Sequence, residues 1–234
     1  MDASVCQILL QVRWLSYIPS HSTAHVFDCH SSRRWRSVRV KLTRNIYMHV
    51  RPLALDGLLV ITPKVYRDER GFFVETYSGP RYQQAGVDCK FVQDNHSRSN
   101  KHTIRGMHFQ TSPGQAKLVR VVSGRIFDVA VDIRLDSPTF GQWEGVYLDA
   151  EEHAQLFVPV GFAHGFCVVS QSAEVLYKVS SLYDASTESG FAYNDADVGI
   201  QWPSPAPLVS ERDTKAQSFA ALRQSLLQAS RASA

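Results

Sequence analysis

The sequence predicts an all-β fold, a sandwich or barrel of short strands. Three observations predict it. From Gly57 onward the chain is a succession of short β-branched and aromatic runs. Turn-forming segments, "DSPTFG", "DAEEH", "PVG" and "SQSA", separate these runs at short intervals. Helical periodicity is confined to the tail, where Phe219, Leu222 and Leu226 recur at spacings of three and four.

Taken in order, "LLVITPKVY" alternates and is β-branched, and "GFFVETY" follows it. The polar segment "SGPRYQQAGVD" has room for one or two helical turns before "FVQDNHS". "KLVRVVSGRIFDVAVDIR" divides at Ser123-Gly124, which reads as a hairpin-like turn. "EGVYLDA", "QLFVPV", "AHGFCVVS" and "AEVLYKVSSLY" continue the pattern to the helical tail. No internal repeat or low-complexity segment interrupts it.

A chain of 234 residues with 44% apolar content can bury one sizeable core. Its net charge of +3 is too weak to argue for nucleic acid or a membrane surface. Residues 1–47 carry seven Arg/Lys against two Asp, and the remainder is slightly acidic. That head is rich in Arg, Ser and His and has no sustained period. A targeting peptide is one reading, but "MHVRPLALDGLLVITP" looks like a natural beginning. The expectation is an unstructured extension over 1–47 and one domain over 48–234. No apolar run is long enough for a membrane span. Cys6, Cys29, Cys89 and Cys167 show no C-x-x-C spacing, so neither a disulfide scaffold nor a zinc site is expected. A reducing cytoplasm is the simplest compartment.

Strand period sorts the polar residues by face. In "RIFDVAVDIR", Phe127, Val129, Val131 and Ile133 share one face, and Asp128, Ala130 and Asp132 share the other. In "IRGMHFQ", Ile104, Gly106, His108 and Gln110 fall together. In "EVLYKVS", Val175, Tyr177 and Val179 oppose Glu174, Leu176 and Lys178. Inward polar residues of a small barrel converge on a ligand cavity. For Asp132 and Lys178, exposure to solvent is the better expectation. His108, flanked by Met107 and Phe109, fits that reading less well.

"VPVGFAHGF" spaces Pro159, Gly161 and His164 as P-x-G-x-x-H, a turn that delivers a histidine at the start of a strand. It resembles the second motif of cupins, small jelly-roll barrels. Metal-binding cupins place H-x-H and then a glutamate in the first motif. Here that stretch reads "HFQ", with Gln110 as the second residue and Lys117 where the glutamate belongs. A cation there repels a metal, and His164 alone cannot hold one. The expectation is a metal-free, cupin-like jelly-roll barrel with short peripheral helices and a helical tail.

"DERGFFVETY", "FVQDNHSRSN", "IRGMHFQ", "GQAKLVRVVSGRIFDVAVDIR", "SPTFGQWEG", "PVGFAHGF" and "NDADVGIQWP" together resemble the dTDP-4-dehydrorhamnose 3,5-epimerase family, from Met48 to about Ala220. Residues 1–47 have no counterpart. The resemblance implies a nucleotide-linked 4-keto-6-deoxyhexose as substrate and inversion of the carbons flanking its ketone through an enolate. His108 would be the base, with an intrinsic pKa suited to the task. Asp213 would pair with it, Tyr177 would be the acid on the opposite face, and Lys117 would steady the enolate oxygen. Arg70 and Arg105 would hold the diphosphate. Gln93, Asp94 and Asn95 would bond the nucleobase or its neighbours, and Phe72, Glu75, Tyr183, Glu188 and Arg212 match other positions around the ligand. His164 would face the sugar, with Asp128 supporting a histidine or the lysine. No cofactor is implied, and the chain has no glycine-rich dinucleotide fingerprint. The resemblance also implies a homodimer with exchanged N-terminal strands.

Singly, these residues have plainer readings. Arg70 reads as a surface turn, Tyr177 as cross-strand packing, Asp213 as a helix N-cap and Lys117 as a residue snorkelling at a barrel rim. Two other functions stay open: a related 3-epimerase or 3,4-ketoisomerase, and a non-enzymatic sugar-binding cupin.

Overall fold

The computed structural model describes residues 24–27, 37–40 and 47–232. In the head, β1 (Ala24–Phe27) and β2 (Ser37–Val40) pair antiparallel, with Ala24 opposite Val40. The remainder of the segment expected to be an extension lies outside the described residues. The compact unit that carries every other element begins at Ile46.

That unit starts with β3 (Met48–Pro52), β4 (Leu59–Pro63), and the hairpin of β5 (Val65–Asp68) and β6 (Gly71–Val74). The polar segment "SGPRYQQAGVD" supplies α1 (Gly79–Gln84), which opens with Pro80 where a missing N–H costs nothing. Then come β7 (Gln93–Asn100), β8 (Thr103–Gln110), β9 (Lys117–Ser123), β10 (Arg125–Asp132) and β11 (Trp143–Asp149). After β12 (Gln155–Val158), β13 (Phe162–Val168) and β14 (Ser172–Val179) the strands shorten to β15 (Glu188–Gly190) and β16 (Leu208–Val209). The chain finishes with α2 (Glu211–Thr214) and α3 (Phe219–Ala232).

Two sheets of six strands face each other. One runs β11-β10-β13-β8-β15, with β16 added parallel to β8; the other runs β3-β4-β12-β9-β14-β7. Consecutive strands repeatedly change sheet, as in the jelly roll the sequence implied. This corrects the reading of Ser123-Gly124. Here β9 and β10 do not pair with one another; the dipeptide turns the corner from one sheet to the other. Turn chemistry marks a reversal but not which sheet receives the next strand. Gly124 sits at φ +76°, and a Cβ there would come within 2.1 Å of the Ser172 carbonyl oxygen.

The alternation read in β10 is borne out. Ile126 and Ala130 enter the core between the sheets with Val119, Val121, Phe166 and Val175. Phe127, Val129, Val131 and Ile133 enter a second core behind the first sheet, with Phe191, Phe219 and Leu222. So the sheet containing β8, β10 and β13 is packed on both faces, and α3 closes its back. A third cluster, around Tyr82, Leu118 and Phe157, lies where α1 covers the other sheet.

Two face assignments need correction. Ile104 packs with Met107 and Phe109 in the rear core, while Arg105 joins His108 on the front. Alternation fails at Gly106, which has φ +143° and lies so close to β13 that a Cβ would meet the Gly165 Cα at 2.6 Å. The pairing of β8 with β13 shifts register between His164 and Phe166, a bulge of the kind that re-aims side chains. Asp132 is fully buried rather than solvated. The turn after β10 folds back over it, and Arg134 Nη2 at 2.7 Å, with Ser137 Oγ and Thr139 Oγ1 at 2.6 Å each, donate to it. Burial pushes its carboxyl up, but these bonds outweigh that and leave it well below the usual range. Lys178, given the same expectation, is half-buried and pairs with Asp94 at 2.9 Å.

Leu222 is 1% exposed at the point where α3 meets the sheet. Leu222→Ala is expected to cost about 2–5 kcal/mol through lost transfer and a residual cavity. Urea midpoints of the two proteins check this.

Candidate active site

A cavity of about 560 Å³ opens between the sheets, bordering the apolar core at Phe166 and Val175. Each sheet contributes a different chemistry. His108 on β8 and His164 on β13 come from the first sheet, directly opposite each other in the pairing of those strands. Lys117 on β9 and Tyr177 on β14 come from the second. The segment Leu208–Asp213 forms part of the wall.

His108 Nε2 lies 2.7 Å from Asp213 Oδ1, and the aspartate side chain is only 6% exposed. Ser210 explains how Asp213 is aimed. Its hydroxyl accepts from the Asp213 N–H at 3.1 Å and caps α2, so the cap is Ser210 and Asp213 is left to point inward. Burial alone would push the Asp213 carboxyl up; the bond and charge of His108, the Gly106 N–H and Arg212 reverse this and lower it. On the other side of His108, Arg212 Nη2 approaches the same Nε2 at 2.6 Å. Arg212 also donates to Glu188 at 2.7 Å. Among the described residues His108 Nδ1 has no hydrogen-bond partner.

His164 Nε2 pairs with Asp128 Oδ1 at 2.6 Å, and Asp128 is fully buried. Asp128 Oδ2 has no hydrogen-bond partner among the described residues. The Lys117 side chain is buried at the cavity floor, with Nζ 3.4 Å from the His108 carbonyl oxygen. Burial draws its ammonium down to about 8, against the opposing pull of Asp128 and Glu188. Burial drives the Tyr177 phenol up; nearby Arg105 opposes this and Glu188 adds to it. A phenol so placed stays protonated at neutral pH. The arrangement presents a histidine–carboxylate pair, a protonated phenol on the facing sheet and a buried cation beside the His108 backbone. It can remove a proton from one side of a bound molecule, return one from the other, and stabilise negative charge in between.

The remaining predicted residues divide. Arg105 lines the cavity and donates to Ser99 Oγ at 3.0 Å. Tyr183 stands outside but donates its hydroxyl to Glu188 at 3.0 Å. The others lie elsewhere in this chain. Arg70 is at the exposed tip of the β5–β6 hairpin, bound to Asp68. Phe72 is exposed and packs at a tilt against His153. Glu75 is engaged by Arg81. Along β7, Gln93 donates to Asn95 at 2.8 Å and accepts from the Tyr183 N–H at 3.2 Å, while Asp94 holds Lys178. Gln110, expected in the place of a metal ligand, is bonded by Gln115 and Ser181. No group of three or more His, Cys, Asp or Glu suited to a metal occurs among the described residues.

Sequence reading missed Ser97 and Ser210. Ser97 lines the cavity with a buried hydroxyl that has no hydrogen-bond partner among the described residues. The S-x-x-D spacing before α2 was a usable signal for Ser210; nothing in the sequence distinguished Ser97.

Residues 52–221 match the family model described as dTDP-4-dehydrorhamnose 3,5-epimerase. The chain belongs to that family. It is 48% identical over 174 residues to the dTDP-4-dehydrorhamnose 3,5-epimerase of Shigella flexneri, covering 74% of this chain and 96% of the relative. A similar solved structure is the Legionella pneumophila 3,5-epimerase in complex with dTDP-4-keto-L-rhamnose. It shares 44% identity and a TM-score of 0.74, over 77% of this chain and 97% of that one. The family also reaches single-carbon enzymes: a Streptomyces bikiniensis 3′-monoepimerase in complex with dTDP-quinovose is 37% identical with a TM-score of 0.71, over 75% of this chain and 90% of that one. The cupin-like jelly roll implied by the epimerase motifs is thus the fold of this chain.

The buried Lys117 makes a stability prediction. Its ammonium titrates near 8 when folded, against 10.5 for an ordinary lysine, so the unfolded chain binds more protons between those values. The cost of burying the charge is fully present below about pH 8 and is relieved as pH rises toward 10.5. Wild type is therefore expected to gain on the order of 3 kcal/mol relative to Lys117→Met across that window. Denaturant midpoints of the pair at pH 7 and pH 10.5 check it.

Proposed function

We propose that this chain inverts the two carbons flanking the ketone of dTDP-4-dehydro-6-deoxy-D-glucose, giving dTDP-4-dehydro-L-rhamnose without a cofactor. The observation that carries the reading is the convergence on one cavity of His108 from one sheet, Asp213 from α2, and Tyr177 with Lys117 from the other sheet. Hydrogens beside a ketone are acidic because the resulting anion is an enolate. His108, with its Nε2 proton held by Asp213, takes the proton on Nδ1 and becomes an imidazolium. The electron pair moves onto the C4 oxygen, where the Lys117 ammonium stabilises it. Tyr177 returns a proton to the opposite face, leaving a phenolate; before the second inversion water returns a proton to the phenolate and takes one from the imidazolium, resetting both groups. A raised phenol pKa suits this acid, since the enolate is a strong base and the proton is retained until needed.

Arg105 and Arg212 carry guanidinium groups at the cavity and suit a diphosphate. His164, supported by Asp128, faces the sugar, and Glu188 and Tyr183 complete that rim. Arg70, Phe72, Glu75, Gln93, Asp94 and Asn95 serve the nucleotide in a homodimer, with the β5–β6 hairpin reaching the partner's cavity. The exposure of Phe72 at 56% and Phe73 at 69% on that hairpin supports this. Residues 48–234 form the catalytic domain, and residues 1–47 are an appended extension. The reading belongs to a reducing cytoplasm, in which Cys89 and Cys167 stay as thiols.

Incubation with the keto sugar in deuterium oxide tests the reaction. Label at both flanking carbons is expected; label at one carbon indicates a single epimerase, and none a binding protein. His108→Ala is expected to abolish exchange at both carbons while retaining dTDP, and undiminished exchange would refute its role. Tyr177→Phe is expected to impair inversion more than initial proton loss, measured as product formation against label uptake. Activity is expected to survive a chelator.

A further inference from the structure

Among the described residues, His108 Nε2 is the one ring nitrogen claimed by two partners of opposite kind. Asp213 Oδ1 lies 2.7 Å away and can only accept; Arg212 Nη2 lies 2.6 Å away and can only donate. Nε2 carries either a proton or a lone pair. With the proton, it bonds Asp213 and opposes the guanidinium. With the lone pair, it bonds Arg212 and opposes the carboxylate, and the ring proton moves to Nδ1. Each state satisfies one neighbour at the expense of the other.

We infer that Arg212 is a positioning residue that gates the base: at rest it competes for His108 Nε2, and a diphosphate in the cavity draws it away, leaving the ring in the tautomer that can accept a proton on Nδ1. The inference rests on the proposed function for the diphosphate and on this geometry for the gate. Only the tautomer bonded to Asp213 leaves the Nδ1 lone pair free. Proton removal also turns the ring into a cation, which a guanidinium within 2.6 Å directly disfavours, so Arg212 has to withdraw before the step is completed.

The surroundings favour such a movement. The Arg212 side chain is 55% exposed, whereas Asp213 is held by its Ser210-capped turn and is 6% exposed. The guanidinium is the mobile member of the pair. Its other anchor is Glu188 at 2.7 Å, a carboxylate that also receives the Tyr183 hydroxyl. The remaining charged or titratable groups lining the cavity are Arg105, Lys117, His164 and Tyr177. None of them is hydrogen-bonded to the His108 ring. A diphosphate offers Arg212 more negative charge than Glu188 does, and in a bidentate geometry. Substrate binding would then both fill the site and arm its base, so an empty cavity would hold His108 in check.

Long-range proton–nitrogen spectra of the full chain with ¹⁵N-labelled histidine read which ring nitrogen of His108 is protonated. The free protein is expected to hold a substantial share of the Nδ1–H tautomer. Saturating dTDP is expected to convert it to Nε2–H, and thymidine, which lacks the diphosphate, to leave it unchanged. Arg212→Gln is expected to show Nε2–H without any ligand, a change that a purely structural role would not produce. Two results overturn the gate even though dTDP binds: an unliganded wild type already entirely Nε2–H, or a tautomer that dTDP does not move. The wild-type titration decides the matter even if the variant does not fold. Failure of the proposed function would look different, with no dTDP-dependent shift of any cavity resonance and no deuterium uptake by the keto sugar, and the gate would fall with it.

Discussion

The contact between His108 and Asp213 joins parts of the chain 105 residues apart and gives the cavity its chemistry. One partner lies in a strand at the centre of a sheet and the other in a single capped turn near the far end of the chain. Without the second, the first would be an ordinary half-buried imidazole. With it, the stretch Leu208–Asp213 becomes a wall, Arg212 is brought beside the ring, and one ring nitrogen faces both a carboxylate and a guanidinium. Which of the two holds that nitrogen sets the protonation of the other ring nitrogen. The cost is a buried carboxylate, offset by the imidazole, the Gly106 N–H and Arg212.

The two-sheet design separates the duties of structure and reactivity. Apolar residues fill much of the space between the sheets, and polar residues from both sheets line the adjoining cavity. Such a polar lining is expensive, since Lys117 and Asp128 are buried where water cannot solvate them. Under the proposed reaction, the Lys117 ammonium is positive charge fixed in place before an anion develops, and it would need little rearrangement at the moment of proton transfer. The depressed ammonium and the raised phenol are two results of the same burial, acting with opposite sign on a cation and on a neutral acid.

Much of this was legible in the sequence, and the failures share a cause. The period of two in β10 gave the correct faces for Ile126 to Ile133 because that strand is regular. It failed in β8 because Gly106 and the shifted pairing with β13 break the alternation between Arg105 and Met107. Asp132 was misjudged because a tertiary turn, invisible to local pattern, supplied three side chains to a carboxylate. Ser123-Gly124 announced a reversal but not the change of sheet. The four residues proposed to react, which the fold brings to one cavity, were singled out through motif resemblance rather than chemistry alone, since Lys117 and Tyr177 each had an unremarkable alternative. The contact of Arg212 with the imidazole depends on side-chain reach across elements, which no spacing rule encodes.

The sheet that bears both histidines is sandwiched, with the reactive hollow before it and the aromatic cluster of Phe127, Phe191 and Phe219 behind. A strand pressed from both sides has little freedom to bow. The terminal helix, far from any reacting atom, therefore works as a splint. Stiffness at the floor of the pocket is maintained from the opposite surface of the molecule, so wear there would be felt as blurred aim in front before it was felt as collapse.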